Sequence, residues 1–502
     1  MFRMTTYLTA PALVMLMGGT AQAALTADQV WQSWKNAGAL AGLRVSAATE
    51  NSDGGVLTLN GVKIAPEGSA GLTISDLVLT EQSDGSVLIA PGADIGADLT
   101  GEGTAGSVKL THDGLVMTAR EGEAGALVYD YAAASLNVAF NSSYPATAFD
   151  GTDAGEATSK GTVGFTDLVG SYSDTPGVNR AFGFDLAASK IAYDINSGDP
   201  GLKMTTASIS ETADLAMSAA VTLPSTVSLL AIASSADFGK ALQEGMAVAV
   251  TTKQGASTGT ASQDDQIFPY QMTFTAGPGE AIGEFNKDRF SVRSTGEGLA
   301  IDLTSSAVPA PVKVTTGVVE FGMTSPVMAA ETAGDYGLTL KLGGVTVNEE
   351  TWALLDPGAA LKRDPAELSI DVAGKAKVDF IALLAAEEAG MTEVTPPAPE
   401  TLDIRDLTLK VAGAAFTGAG AFTFDNAGGT PMPIGEANVT LTGGNALIDG
   451  LIATGIITEE DAMGVRMMMG GFMSPGANPD ELTSKIEAKA GGEITVNGQR
   501  VQ

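Results

Sequence analysis

The sequence predicts a mainly β protein, with long, curved antiparallel sheets that form a groove or a sandwich and carry a few short helices. Three observations lead to this fold class. Apolar residues alternate with polar ones over most of the chain. The chain is rich in glycine, with 62 residues, and poor in aromatic residues, at 6%. A reversal of the alternation recurs at several places.

The alternation identifies strands with one buried face. Examples are Val108-x-Leu110, Leu338-x-Leu340-x-Leu342 and Ile494-x-Val496. Clusters of glycine, aspartate and serine, such as the one from Ser52 to Gly55, separate the strands as turns do.

The reversal appears where two alternating apolar pairs are offset by three residues. The four clearest cases are Leu57, Leu59, Val62 and Ile64; Leu72, Ile74, Leu77 and Leu79; Leu340, Leu342, Val345 and Val347; and Leu402, Ile404, Leu407 and Leu409. In a flat strand this offset would send the second pair to the opposite face. A tight hairpin would restore one face and suits Asn60-Gly61 and Gly343-Gly344. A bulge would also restore it and suits Ser75-Asp76 and Arg405-Asp406; repeated bulges curve a sheet.

Few helices are expected, and the main ones lie near the two ends of the mature chain. Thr26 is a predicted N-cap for a helix that runs to Gly42. Near the C-terminus, residues 446–473 hold two helices: Ala446 to Thr454, and a second that Thr458 begins. Shorter helices are predicted at Ala236 to Met246, Asn348 to Leu355 and Phe380 to Ala389.

Residues 1–23 have the composition of a secretory signal peptide. Arg3 gives a positive start, and Leu8 to Met17 form an apolar stretch that is too short to cross a bilayer. Ala21-Gln22-Ala23 is an A-x-A site, so cleavage is expected between Ala23 and Ala24. We therefore expect a protein of the periplasm, with the extracellular medium as the second choice, and no membrane-spanning segment in the mature chain.

Behind the signal peptide, the sequence suggests two β-rich halves, residues 24–250 and 266–502. The polar stretch Thr251 to Asp265 separates them and is expected to be a loop or hinge.

Composition excludes several kinds of chemistry. The formal charge is −32, and it repels nucleic-acid backbones. With no cysteine, thiol catalysis and cysteine metal sites are excluded, and the single histidine, His112, cannot build a zinc site of several histidines. Gly101 to Gly106 match G-x-G-x-x-G, but a strand pattern follows in place of the helix that a nucleotide site needs. No catalytic, cofactor-binding or metal-binding residue is predicted.

One segment is a candidate contact surface. Met463, Met467, Met468, Phe472 and Met473 lie at helical spacings in the C-terminal segment. Methionine suits surfaces that meet varied apolar partners, so these residues are a candidate contact for an apolar ligand or a protein partner. The alternative is an ordinary helix packed on the sheet.

Several segments resemble the DUF 2125 family, an uncharacterised family of exported alphaproteobacterial proteins. The similar segments are Trp352 with Asp356-Pro357 and Arg363-Asp364-Pro365; Phe416 to Asn426; Gly450 to Met469; and Gly492 to Arg500. The resemblance implies no activity and assigns no functional residue.

Together these observations predict a non-enzymatic envelope protein that binds a lipid or another amphiphile in an apolar β-groove. A structural or protein-interaction component of the envelope is the second hypothesis. A hydrolase built on carboxylates is the third, and no spacing of acidic residues favours it. The shape of the sheet's apolar face distinguishes the first two hypotheses, because an open groove and a packed sandwich share the same strand pattern.

Overall fold

The computed structural model describes residues 24–40, 42–68, 70–101, 104–224, 235–391 and 396–502. The predicted signal peptide, residues 1–23, lies outside this part of the chain, so its cleavage stays a prediction. Ala24 opens the described part, and the next residue, Leu25, is buried and donates its backbone N–H to the Gly85 carbonyl.

The described residues contain six α-helices, all at positions that the sequence predicted to within three residues. They are α1 (Ala27–Leu40), α2 (Ser235–Gln243), α3 (Glu349–Leu355), α4 (Phe380–Glu388), α5 (Gly444–Ala453) and α6 (Glu459–Phe472). The start of α6 is a full capping box, because Thr458 and Asp461 each accept a hydrogen bond from the other's backbone N–H.

Strands make up most of the described chain. The first nine are β1 (Arg44–Ser46), β2 (Thr49–Asp53), β3 (Val56–Ala65), β4 (Leu72–Glu81), β5 (Val87–Pro91), β6 (Ile95–Gly101), β7 (Thr104–Asp113), β8 (Val116–Glu121) and β9 (Leu127–Thr147). The next nine are β10 (Asp153–Thr175), β11 (Asn179–Asp199), β12 (Met204–Pro224), β13 (Ala247–Gln254), β14 (Ser257–Asp264), β15 (Tyr270–Ala276), β16 (Gly279–Phe285), β17 (Arg289–Ser305) and β18 (Val312–Pro326). The last nine are β19 (Gly334–Val347), β20 (Ala366–Lys377), β21 (Ala398–Val411), β22 (Ala414–Asp425), β23 (Met432–Thr442), β24 (Ser474–Pro475), β25 (Glu481–Ala488), β26 (Ile494–Val496) and β27 (Gln499–Arg500).

These strands form one antiparallel sheet, in which each strand pairs with strands that lie close to it along the chain, as β10 pairs with β9 and β11. The predicted fold class, mainly β with a few helices, is confirmed. The accessible surface of the chain is 28,839 Å². A compact monomer of this mass would expose roughly 17,000 Å². The sheet is therefore open and extended.

A line of irregular residues crosses the sheet near the middle of its strands, and we call it the fold line. Several long strands are interrupted there. β13 and β14 both pair with β12 in one unbroken register, and Gly255 and Ala256 separate them. Uninterrupted strands cross the line through a residue with positive φ: Gly61, Asp167, Asp214, Gly298 and Gly344.

The fold line explains the reversals in the sequence. At each crossing two consecutive residues point to one face, so the apolar side chains lie on the same face before and after it. The hairpins predicted at Asn60-Gly61 and Gly343-Gly344 are wrong, because β3 and β19 run straight through these positions. At Arg405-Asp406 the register shifts within β21, as a bulge requires.

The polar loop or hinge predicted at Thr251 to Asp265 is also wrong. This stretch belongs almost entirely to β13 and β14, which pair with β12 on one side and with β16 and β15 on the other. The stretch is rich in threonine and serine because many of its side chains lie on an exposed face of the sheet. The two predicted halves are therefore joined by a continuous sheet.

Two groups of helices cover parts of the apolar face. α1 buries Val30 and Trp31 on Leu57, Leu59 and Leu77 of β3 and β4. At the ends of the central strands, α2 and α4 form a smaller cluster, which includes Leu242 and Ile381.

Candidate functional site: an open apolar trough

The strand register aligns apolar side chains in rows that run across the sheet. Directly paired residues of antiparallel strands point to the same face, so a row can be followed from strand to strand. One row passes from β9 to β25 through Tyr129, Tyr172, Phe184, Ala219, Val250, Gly283, Val292, Met323, Leu338, Val372, Ile404, Gly420, Ala437 and Ile486. We call the face that carries this row the apolar face.

A second row crosses the other arm of the strands, beyond the fold line. It comprises Val138, Val163, Tyr193, Ser210, Gly259, Phe274, Ile301, Val314 and Val347. The apolar face therefore continues on both sides of the fold line.

The apolar face is most buried beside the fold line, and we call this buried strip the crease. Ala133, Leu168 and Ala188 lie beside the fold line and are at most 5% exposed, and Phe165 and Leu186 pack on them from the two arms. Farther from the crease, Phe184 and Met323 are both 40% exposed although they are larger. A buried floor with more exposed walls is a trough, and we use that name for the apolar face from β9 to β25.

The opposite, polar face carries the charge. Apart from the two residues at each end of a strand, every described charged side chain of β9 to β23 that has a paired residue lies on the polar face. Many of these side chains pair across neighbouring strands: Lys190 with Glu211, Lys253 with Glu280, Arg293 with Glu320, Lys313 with Asp302, Lys375 with Asp335 and Lys410 with Glu367. Arg180 and Asp174 are on the apolar side, but they lie at strand ends and neutralise each other in an ion pair.

Aromatic rings lie flat over glycines inside the trough. Tyr131 covers Gly170 on the next strand and donates its hydroxyl to the Asp185 carbonyl at 2.9 Å. Tyr336 covers Gly374 in the same way and donates to the Thr401 carbonyl at 2.9 Å. A flat ring covers the backbone with apolar surface without filling the space above it. These pairs keep the trough both apolar and open.

Burial in the trough shifts the pKa of its tyrosines. Burial raises the pKa of Tyr129, Tyr131 and Tyr336 above the usual value. For Tyr172, burial and the nearby Asp174 carboxylate raise the pKa to about 12. All four hydroxyls therefore stay neutral at physiological pH.

α1 closes the N-terminal end of the apolar face. An aromatic series leads from this helix into the trough: Trp31, Trp34, Tyr129, Tyr172 and Phe184, with ring centroids 4.9–6.4 Å apart. Contacts at these distances stabilise a rigid wall.

α6 lies at the C-terminal end of the trough, where Ser484 of β25 donates its hydroxyl to the Phe472 carbonyl. Four of the predicted contact residues are exposed: Met463 at 61%, Met467 at 72%, Met468 at 64% and Phe472 at 51%. The fifth, Met473, is half-buried at the helix end. The helix instead packs through Ala462, which is fully buried. The alternative of a methionine face packed on the sheet therefore does not describe this helix.

The described residues offer no other obvious chemical site. They contain no group of three or more residues that could ligate a metal, and no helix among them is long and apolar enough to span a membrane. A recess of about 770 Å³ lies on the polar face and is lined by residues such as Lys160, Asn196 and Gln271. His112 is bound to backbone at the fold line, where its Nδ1 accepts the Leu115 N–H.

Sequence reasoning found the strands of the trough but not its rows. Each row depends on the register of many strands. The reversals of the alternation at the fold line were the one local signal that such rows exist.

Comparisons with known proteins give a family but no activity. No curated protein matches this chain. A search of solved structures finds the crystal structure of BauA, the ferric preacinetobactin receptor from Acinetobacter baumannii, at 9% identity, covering 91% of this chain and 86% of that chain with a TM-score of 0.19. At that score the similarity carries no inference. A model of uncharacterised proteins conserved in bacteria, DUF2125, matches residues 211–492, from β12 to β25. Since this match spans more than half of the chain and agrees with the resemblance in the sequence, the protein belongs to the DUF 2125 family.

Proposed function

We propose that this protein is a non-enzymatic periplasmic carrier that holds the acyl chains of a lipid or another amphiphile in the trough. The observation that carries the proposal is the uncharged row of apolar residues that crosses the sheet from β9 to β25 and stays partly open to solvent. Contiguous exposed apolar surface of this extent is rare on proteins that bind nothing.

The size of the trough suits acyl chains. At about 4.8 Å between neighbouring strands, the row is roughly 60 Å long. One leaflet of a bilayer is about 15 Å of hydrocarbon, so the trough is several acyl chains long. This length supports binding of more than one chain, or movement of a chain along the trough.

A peptide is a poorer occupant. The strands from β9 to β23 are paired along both edges, so they offer no free backbone groups for an added strand. The trough also has few charged groups to recognise a peptide's polar side chains. An acyl chain needs neither kind of contact.

The second candidate is a protein-interaction component of the envelope. The exposed methionines of α6 favour it, because soft apolar side chains on a surface suit a protein contact. The two functions are compatible, since α6 lies at one end of the trough.

Lipid analysis of residues 24–502, purified from the periplasm without detergent, tests the first proposal. We expect native mass spectrometry to show bound lipid that organic solvent extracts. Met323→Gln in the trough should reduce the lipid several-fold, because a polar amide replaces an apolar contact. The matched control is Ile282→Gln, since Ile282 is 43% exposed, close to the 40% of Met323, but lies on the polar face. Protein without lipid, which also binds none when it is added, would overturn the proposal, as would equal loss in both variants.

A further inference from the structure

We infer that a column of hydroxyls on β12 forms a polar subsite within the trough and binds an uncharged hydrogen-bonding group of the amphiphile, such as the glycerol ester of a neutral lipid. The column comprises Thr206, Ser208, Ser210 and Thr212. The inference rests on the proposed function and deepens it, because it assigns where the polar part of the ligand lies.

The column interrupts apolar surroundings. These four residues alternate along β12 and share the apolar face, with Ile191, Tyr193 and Ile195 beside them on β11. On the other side, beyond β14, Met272 and Phe274 of β15 continue the apolar surface. Strands that bury one face usually place apolar residues at such positions.

The two central hydroxyls differ from the Thr212 hydroxyl in their hydrogen bonding. Ser210 is only 4% exposed, yet neither its hydroxyl nor that of Ser208 has a hydrogen-bond partner among the described residues. Thr212 shows the contrast, because its hydroxyl lies 2.9 Å from the Ser257 hydroxyl. Both hydroxyls are accessible to solvent, since Trp31 Nε1 is the one buried side-chain polar atom without a partner in the described part of the chain. A purely apolar chain laid over them would leave them unpaired, whereas a ligand group that donates or accepts a hydrogen bond would pair with them.

The surroundings select a neutral ligand group. Charged residues of β12 and its neighbours, such as Glu211, Asp194 and Lys190, lie on the polar face, on the other side of the sheet. The described residues therefore place no cation beside the column to bind a phosphate. Serine and threonine hydroxyls, in contrast, can both donate to an ester carbonyl and accept from an alcohol.

A comparison of two probes tests the subsite. 1-Monooleoylglycerol has the glycerol ester, and 1-octadecene has an apolar chain of similar length without it. We expect the protein to bind the ester about ten-fold more tightly, since a site with unpaired polar groups rejects the analogue that lacks them. In the Ser208→Ala/Ser210→Ala variant the preference should fall to about two-fold or less, while octadecene binding is unchanged. Ser218→Ala, on the polar face of the same strand, is the control and should keep the preference.

The outcomes separate this inference from the proposed function. If the native protein binds neither probe, both fail. If it binds both probes equally, or if the double variant keeps the preference, the subsite alone is overturned. The thermal midpoint of the ligand-free double variant gives an independent readout. It should be unchanged or higher, because the removed hydroxyls have no partners; a clear fall would show a structural role and count against the subsite.

Discussion

The glycine pair at the fold line in β19 offers a matched test of what maintains the trough. Gly344 has φ +69°, in the left-handed region, and a Cβ there would meet no atom closer than 3.5 Å. Gly343 has no positive φ, and its Cβ would be 3.8 Å from Val318. Alanine therefore fits at both positions in space, and only the backbone conformation differs.

The expected effect follows from that conformation. A left-handed backbone costs a residue with a Cβ about 1–2 kcal/mol, so Gly344→Ala should lower the free energy of unfolding by this amount. In an ordinary strand conformation alanine is better than glycine by about 0.5–1 kcal/mol, so Gly343→Ala should be neutral or stabilising. The two variants should differ by about 1.5–3 kcal/mol.

Urea unfolding, followed by both tryptophan fluorescence and circular dichroism, measures this difference. Coincident transitions by the two probes justify a two-state free energy. Gly344→Asn is a third variant and should lose less than Gly344→Ala, because asparagine tolerates the left-handed region. A difference below about 0.5 kcal/mol between the two alanine variants would refute the argument that φ at Gly344 fixes the crease.

Four further predictions concern the crease, the trough and α6. Thr316→Val should cost about 1–2 kcal/mol in urea unfolding, because the hydroxyl donates to the carbonyls of Gly343 and Val318 at the crease; an unchanged midpoint would contradict this. Burial raises the pKa of Tyr172 to about 12. The unfolded chain ionises this tyrosine near pH 10, so stability should be complete below about pH 10 and fall from there to about pH 12, and Tyr172→Phe should weaken that fall; an equal fall in both proteins would argue against it. Peptide mapping after mild peroxide treatment should find Met467, at 72% exposure, oxidised well before Met246, at 8%; similar rates would mean that α6 is covered in solution. Thr458→Ala should lower stability by about 1 kcal/mol through loss of the capping box, and Thr454 offers no compensating cap because its hydroxyl is bound to the Leu451 carbonyl.

The helices and strands could largely be predicted from the sequence, because each depends on local signals. Thr458 with its acidic neighbours indicated α6, and the alternation of Leu338, Leu340 and Leu342 indicated β19. The stretch from Thr251 was misread for a physical reason. Polar residues are common both in loops and on an exposed sheet face, and only pairing with β12 distinguishes them.

The candidate site could be predicted only in part. The methionines of α6 were found from their spacing, but their exposure depends on which side of the helix packs, and the buried Ala462 decides that. The hydroxyl column of β12 was missed, since alternating serines and threonines in a sequence do not show which face they occupy. That face is set by pairing with Tyr193 and its neighbours on β11.

By itself, the sequence determined that the chain forms alternating strands whose alternation reverses at intervals, and that thiol chemistry is excluded. It also carried the segments that place the chain in its family. Only the tertiary structure decided that the reversals align into one crease and that the apolar face stays open. The physical reason is the distance along the chain over which each interaction acts. Alternation and helix caps depend on a few neighbouring residues. The trough exists only when the register of many strands brings Tyr129 and Ile486, which are far apart in the chain, into one row.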